Sequence, residues 1–147
     1  GHQLMAHALG GMVDYHPLGR EVGCHQVALA AAAKNDDFFA DMPEQFGAYL
    51  THEQSVLVPP PGATVLARSE HDAHQILRYG PRALSVQFHP EFTAPLMAAC
   101  IQRRAALLAA EGRDVAAMLS GIGPTVQSRR LLHTFVALAQ YESSIYS

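Results

Sequence analysis

His89, Pro90 and Glu91 set an imidazole and a carboxylate two residues apart. An unperturbed imidazole titrates near pH ~6.5, so it can accept a thiol proton and later return it to a leaving amine. A neighbouring carboxylate orients such a ring and stabilises its charged form, as in other nucleophile, base and orienter arrangements. Taken alone, the tripeptide also reads as an ordinary turn with an exposed His and Glu.

The elements that must carry this pair can be read from periodicity. Ala83 to Phe88 alternates apolar and polar residues, which predicts a strand with one buried face that delivers His89-Pro90-Glu91 at its C-terminal end. Pro90 cannot continue a sheet ladder, so the strand must stop there. Ahead of it, Glu21–Leu29, Ser55–Val58, Thr64–Ala67 and Gln75–Tyr79 read as further strands separated by turns. Asn35-Asp36-Asp37 offers N-cap candidates for a short turn around Phe38, Phe39 and Met42. Behind the tripeptide, Ala94–Ala110 predicts one unbroken helix with Met97, Ile101 and Leu108 on its stripe, closed by Gly112. Pro124 sits where a first-turn proline belongs, before a helix whose apolar face is Leu131, Leu132, Phe135, Val136, Leu138 and Ala139. Gly1 to Gly11 reads as a short helix closed by a glycine pair, with Leu4, Met5, Ala8 and Leu9 as its stripe. No N-cap precedes that helix, so the sequence is expected to begin inside a domain.

Composition narrows the function classes. The chain has 147 residues, 49% of them hydrophobic, enough for one domain with a core of its own. Lys+Arg is 10 against Asp+Glu 13 and no basic run is present, which argues against a nucleic-acid partner. No apolar stretch approaches the ~20 residues that cross a bilayer, so no membrane association is expected and the cytoplasm is the default location. Cys24 and Cys100 have neither metal-site nor redox spacing and read as reduced thiols filling small apolar positions.

The longer string Gly80 to Phe92 resembles the terminal catalytic motif of class I glutamine amidotransferases. Gly1-His2-Gln3, followed by an apolar helix and Gly10-Gly11, is similar to the residues after the nucleophile in that family's pattern Cys-x-Gly-His-Gln. The two motifs occur in the family's order, and the likeness is nearest to stand-alone proteins similar to the glutaminase domain of GMP synthase. The resemblance implies a three-layer α/β fold, flavodoxin-like, with a mostly parallel central sheet, of which this chain supplies the C-terminal portion. Residues 1–110 would be that part of the domain, and 111–147 a helical extension packed on it or at an interface.

By the same resemblance His89 is the general base and acid, Glu91 its orienter, and Gln3 a contact for the substrate glutamine. Thr51 to Val56 takes the place of a glutamine-binding loop that works largely through backbone groups, with His52 as its side-chain candidate. The nucleophilic cysteine would lie two positions before Gly1. Cys24, in a strand, and Cys100, in a helix after His89, do not occupy its place.

The implied function is hydrolysis of the glutamine side-chain amide through a γ-glutamyl thioester, supplying ammonia. Cleavage of γ-glutamyl peptides at the same site is a second reading, and an inactive truncated module with a binding or regulatory role is a third. A synthase or a second copy of the chain is the expected partner. The thiol mechanism needs no cofactor, and no phosphate-binding glycine loop suggests one. Nine histidines raise the question of a metal. His2 and His7 stand about 140° apart around a helix, and His71 and His74 lack companions for a tetrahedral set, so no metal is expected. As an isolated half-sheet the chain is expected to aggregate or stay partly unfolded.

Overall fold

A computed structural model of the chain describes the backbone of residues 1–145 and the side chains of residues 1–139; the last two positions of the expected 111–147 extension lie outside the described residues. The chain opens with helix α1, His2–Ala8, which the predicted glycine pair closes. Gly10 adopts φ +93°, and the Gly11 N–H donates to the Ala6 carbonyl at 2.8 Å. Gly11 has no room for a side chain, since a Cβ there would stand 2.9 Å from the carbonyl oxygens of both Ala6 and Val58. The predicted stripe is corrected: Leu4 is 73% exposed, and it is His2 and Ala6 that are buried. A helix of seven residues has little more than one inward row, and this one is filled by a small residue against Val56 and Leu77 and by a hydrogen-bonding histidine.

Strand β1, Met12–Tyr15, was not expected from the sequence; it pairs with β4, Gln54–Val58, in a two-stranded ribbon. The other sheet has the order β3-β2-β5-β6-β7. Its members are β2, Glu21–Leu29; β3, Gln45–His52; β5, Thr64–Arg68; β6, Ile76–Gly80; and β7, Ala83–Val86. The α/β class stands, but every ladder among the described residues is antiparallel, which corrects the expected mostly parallel sheet for this portion. Connection length is the physical reason. Only Pro81-Arg82 separates β6 from β7, and only residues 69–75 separate β5 from β6, whereas parallel neighbours need a crossover of about a dozen residues.

Alternation along β2 and β3 produces the layers. Val27, Phe46, Ala48 and Leu50 point into one core with Phe39, Leu66, Ile76, Phe88 and Leu131. Phe46 and Phe88 meet edge to face there, with centroids 5.7 Å apart. Val22 and Tyr49 point to the opposite face, onto Met97, Ile101 and Leu108, with half-buried Cys24 and Cys100 packed alongside.

The expected unbroken helix is two, α2, Ala94–Arg103, and α3, Ala105–Ala110, because Arg104 leaves helical geometry at φ −104°, ψ 10°. Met97, Ile101 and Leu108 are nevertheless buried as expected. Gly112, at φ +77°, ends α3, and α4, Val115–Ser120, follows with Asp114 accepting from the Ala117 N–H. Helix α5, Val126–Ile145, begins after Pro124 rather than around it. Of its predicted apolar face Leu131 is buried, while Phe135, Val136 and Leu138 remain about half exposed.

Candidate functional site

The main chain at the end of β7 is built into the sheet while its side chains are released. Ladder pairing ends at Val86, two residues earlier than the alternation suggested. Gln87 and Phe88 are then buried, and the His89 N–H donates to the Tyr49 carbonyl of β3 at 2.9 Å. Past Pro90 the chain folds back, with the Phe92 N–H donating to the His89 carbonyl at 3.2 Å. The turn brings His89 Nδ1 to 2.8 Å from Glu91 Oε1 and stacks the Phe92 ring on the imidazole at a centroid distance of 4.3 Å. A carboxylate only accepts, so Nδ1 carries the proton and Nε2 bears the basic lone pair. The ring is thus oriented by one neighbour and braced by another, in a form that can remove a proton from a nucleophile.

Gln3 and His52 converge on a different point. Gln3 Nε2 donates to the Gln54 carbonyl at 3.0 Å, and His52 Nδ1 lies 3.1 Å from the same oxygen. With Tyr15, Glu53 and Gln54 they line an open depression of about 400 Å³. His89 and Glu91 are not among its lining residues, so the four candidates form two pairs. The segment expected as a loop is the sharp junction of β3 and β4, and its shared group is a backbone carbonyl.

Beneath these residues runs a buried polar network that periodicity did not reveal. Glu21 accepts from His52 Nε2 at 3.0 Å, Gln75 Nε2 at 2.8 Å and Ser69 Oγ at 2.7 Å. Burial pushes the Glu21 carboxyl upward, but the bonds from His52 and Ser69 and the nearby His25 hold it below its ordinary value. Asp72 behaves alike: burial raises it, and Ser55, Gln87 and the His74 N–H outweigh that and keep it low. His2 Nδ1 meets Ser85 Oγ at 2.7 Å, and burial lowers its pKa to about 4, against opposing contributions from the His74 main chain and Asp72. A legible signal did exist, in polar residues at strand positions such as Gln75 and Gln87, which must be hydrogen-bonded if buried.

Of the remaining histidines, His16, His25, His71 and His74 have hydrogen-bond partners. His71 Nε2 meets the Gly19 carbonyl at 2.9 Å and its ring lies against His16, while His74 Nδ1 meets the Val56 carbonyl at 2.6 Å. Among the described residues no group of three or more His, Cys, Asp or Glu is placed to hold a metal, and no helix is long and apolar enough to cross a membrane.

A family model described as glutamine amidotransferase class-I matches residues 1–105. Gamma-glutamyl peptidase 5 of Arabidopsis thaliana is 29% identical over 105 residues, spanning 70% of this chain and 42% of that protein. The glutamine-hydrolyzing GMP synthase of Thermosipho africanus is 34% identical over 94 residues, 63% of this chain and 17% of its own length. The crystal structure of a glutamine amidotransferase from Thermotoga maritima superposes with a TM-score of 0.69 at 25% identity, covering 92% of this chain and 57% of that one. The chain therefore spans less than half the length of these two curated relatives.

Proposed function

Since the chain belongs to the class I glutamine amidotransferase family, we propose that it carries the general base and part of the substrate site of a glutaminase that releases ammonia from the glutamine side chain. The observation that carries this reading is the 2.8 Å contact between His89 Nδ1 and Glu91 Oε1. It leaves Nε2 as the base that activates a cysteine upstream of Gly1. The thiolate attacks the γ-amide carbon, and the protonated imidazole gives its proton to the departing amine. Water, activated by the same ring, then cleaves the γ-glutamyl thioester. Gln3 and His52 serve the substrate from the depression they line with Gln54.

In this reading residues 1–110 belong to the amidotransferase domain and 111–147 extend it, with Leu131 of the extension packed in the main core. A synthase that consumes the ammonia is the partner, or a second copy of the chain.

The likeness to a γ-glutamyl peptidase favours a second substrate for the same site, a γ-glutamyl peptide. Ammonia release from glutamine is measured beside amine release from a γ-glutamyl dipeptide, in wild type and in His89→Ala. Faster turnover of one substrate assigns it, and His89→Ala is expected to lose about 10²–10⁴-fold on that substrate. A His89→Ala protein as fast as wild type, or a wild type inert to both substrates, overturns the reading.

A further inference from the structure

Two glutamine amides stand in series between a buried carboxylate and the open depression. Asp72, 2% exposed, accepts the His74 N–H on Oδ1 at 2.8 Å and Gln87 Nε2 on Oδ2 at 2.8 Å. A carboxylate held ionised has no proton to give, so it must meet the nitrogen end of the Gln87 amide. Gln87 Oε1 is thereby turned toward Gln3 and accepts from Gln3 Nε2 at 3.0 Å. The second proton of Gln3 Nε2 goes to the Gln54 carbonyl, also at 3.0 Å. The series therefore ends in an acceptor-only group at each side, Asp72 and a peptide carbonyl, and the two impose the same sense on the amides between them. The end of Gln3 left for the depression is its oxygen.

We propose that Asp72 and Gln87 are positioning residues that act through Gln3 to make the depression beside Gln54 select a ligand group donating an N–H. The inference rests on the reading of Gln3 as a substrate contact. A γ-glutamyl substrate offers such a donor at its α-ammonium and at its amide nitrogen.

The series can be inverted and restored by isosteric changes. In Asp72→Asn the His74 N–H keeps the asparagine oxygen, so the asparagine nitrogen faces Gln87 and its amide must turn over. Gln87 then presents a donor to the donor end of Gln3; if Gln3 also turns, its oxygen is set against the Gln54 carbonyl. Gln87→Glu alone puts two carboxylates in contact. Together, Asp72→Asn and Gln87→Glu restore the original sense: the asparagine nitrogen donates to the glutamate, which accepts from Gln3 Nε2.

The full-length protein and these three variants are titrated calorimetrically with L-glutamine, L-glutamate, which lacks the amide nitrogen, and glutaramate, which lacks the α-ammonium. Asp72→Asn is expected to weaken glutamine about tenfold, and the double variant to recover it. Whichever analogue is indifferent to Asp72→Asn is the one missing the donor that Gln3 accepts from. Unchanged glutamine affinity in Asp72→Asn, or a loss that the double variant does not recover, overturns the proposal. A wild type that binds none of the three ligands overturns the γ-glutamyl reading instead. The series is then judged without ligand, by nuclear Overhauser contacts between the Gln87 side-chain amide protons and the His74 N–H. These contacts are expected in wild type and lost in Asp72→Asn; their absence in wild type overturns the proposal, and that wild-type arm does not depend on any variant folding.

Discussion

Glu91 reaches His89 Nδ1 from a position 55% exposed, so its charge acts on the ring through partly solvated space. Glu91→Gln retains an oxygen that can accept the Nδ1 proton but removes the charge that stabilises the imidazolium. The turnover number for the amide substrate should fall about 10²-fold, the low end for acid–base groups, with KM little changed. Steady-state kinetics check this, and a raised KM at constant turnover would make Glu91 a binding residue instead.

His2 supplies a prediction of a different kind. Burial lowers its pKa from 6.5 to about 4, so between those values the unfolded chain binds a proton that the folded chain does not. Stability from this residue is complete above pH 6.5, declines as the pH falls toward about 4, and levels off below. The ceiling is on the order of 3 kcal/mol. Urea midpoints measured from pH 7.5 downward should show a shallower decline for His2→Gln than for wild type. Glu21 and Asp72, held below their ordinary values of 4.5 and 3.8, begin to lose their contributions as the pH falls through those values, so the His2 slope is read between pH 6.5 and 4.5.

Among the elements, the short 3-10 turn Asp37–Phe39 is fixed by its cap. Asp36 accepts the Phe38 N–H at 3.0 Å and takes the Arg78 guanidinium of β6 in a fork, Nε and Nη2 each at 2.9 Å. Asp36→Ala removes both, and a half-buried fork is worth more than an exposed ion pair. A destabilisation of about 2 kcal/mol is expected in denaturant unfolding, while Lys34→Ala, whose partner Glu44 is exposed, should change little. The cap was legible because Asp at that position has a local mechanism. So were the β-rich middle of the chain and the strand leading to His89, because alternation reports a buried face. What remained hidden has non-local causes. The stripe of α1 is chosen by Ser85, 83 residues away, and the antiparallel order of the sheet by which hairpins close. At the site, His89 and Glu91 were legible as neighbours in sequence. Glu21, Asp72, Gln75 and Gln87 join it through contacts that no spacing encodes.

At the scale of the whole molecule, helix α5 is tied to the rest by few groups. Leu131, 4% exposed, enters the core with Phe46 and Phe88, Ser128 Oγ donates to the Gly47 carbonyl, and the Tyr49 hydroxyl donates to the Gly123 carbonyl at 2.7 Å. Leu131→Ala opens a cavity under the same β3 that holds the His89 main chain, and should cost about 2–4 kcal/mol. Thermal unfolding measures the loss. A cost under about 0.5 kcal/mol would mean that the extension folds as a separate unit rather than as part of this core. Arg20 adds a second tie, pairing with Glu53 at the β3–β4 junction and with Glu111 beyond α3.

The Gln54 carbonyl receives Gln3 and lies 3.1 Å from His52, while the Gln54 side chain is exposed. The address at which those two residues meet is therefore written in a group that every amino acid possesses. A saturation scan of this region should find position 54 permissive and positions 3 and 52 intolerant. Genetics would then report silence at the atom on which the depression is hung, and an inheritance of sequence could drift there freely while the shape it serves stays unchanged.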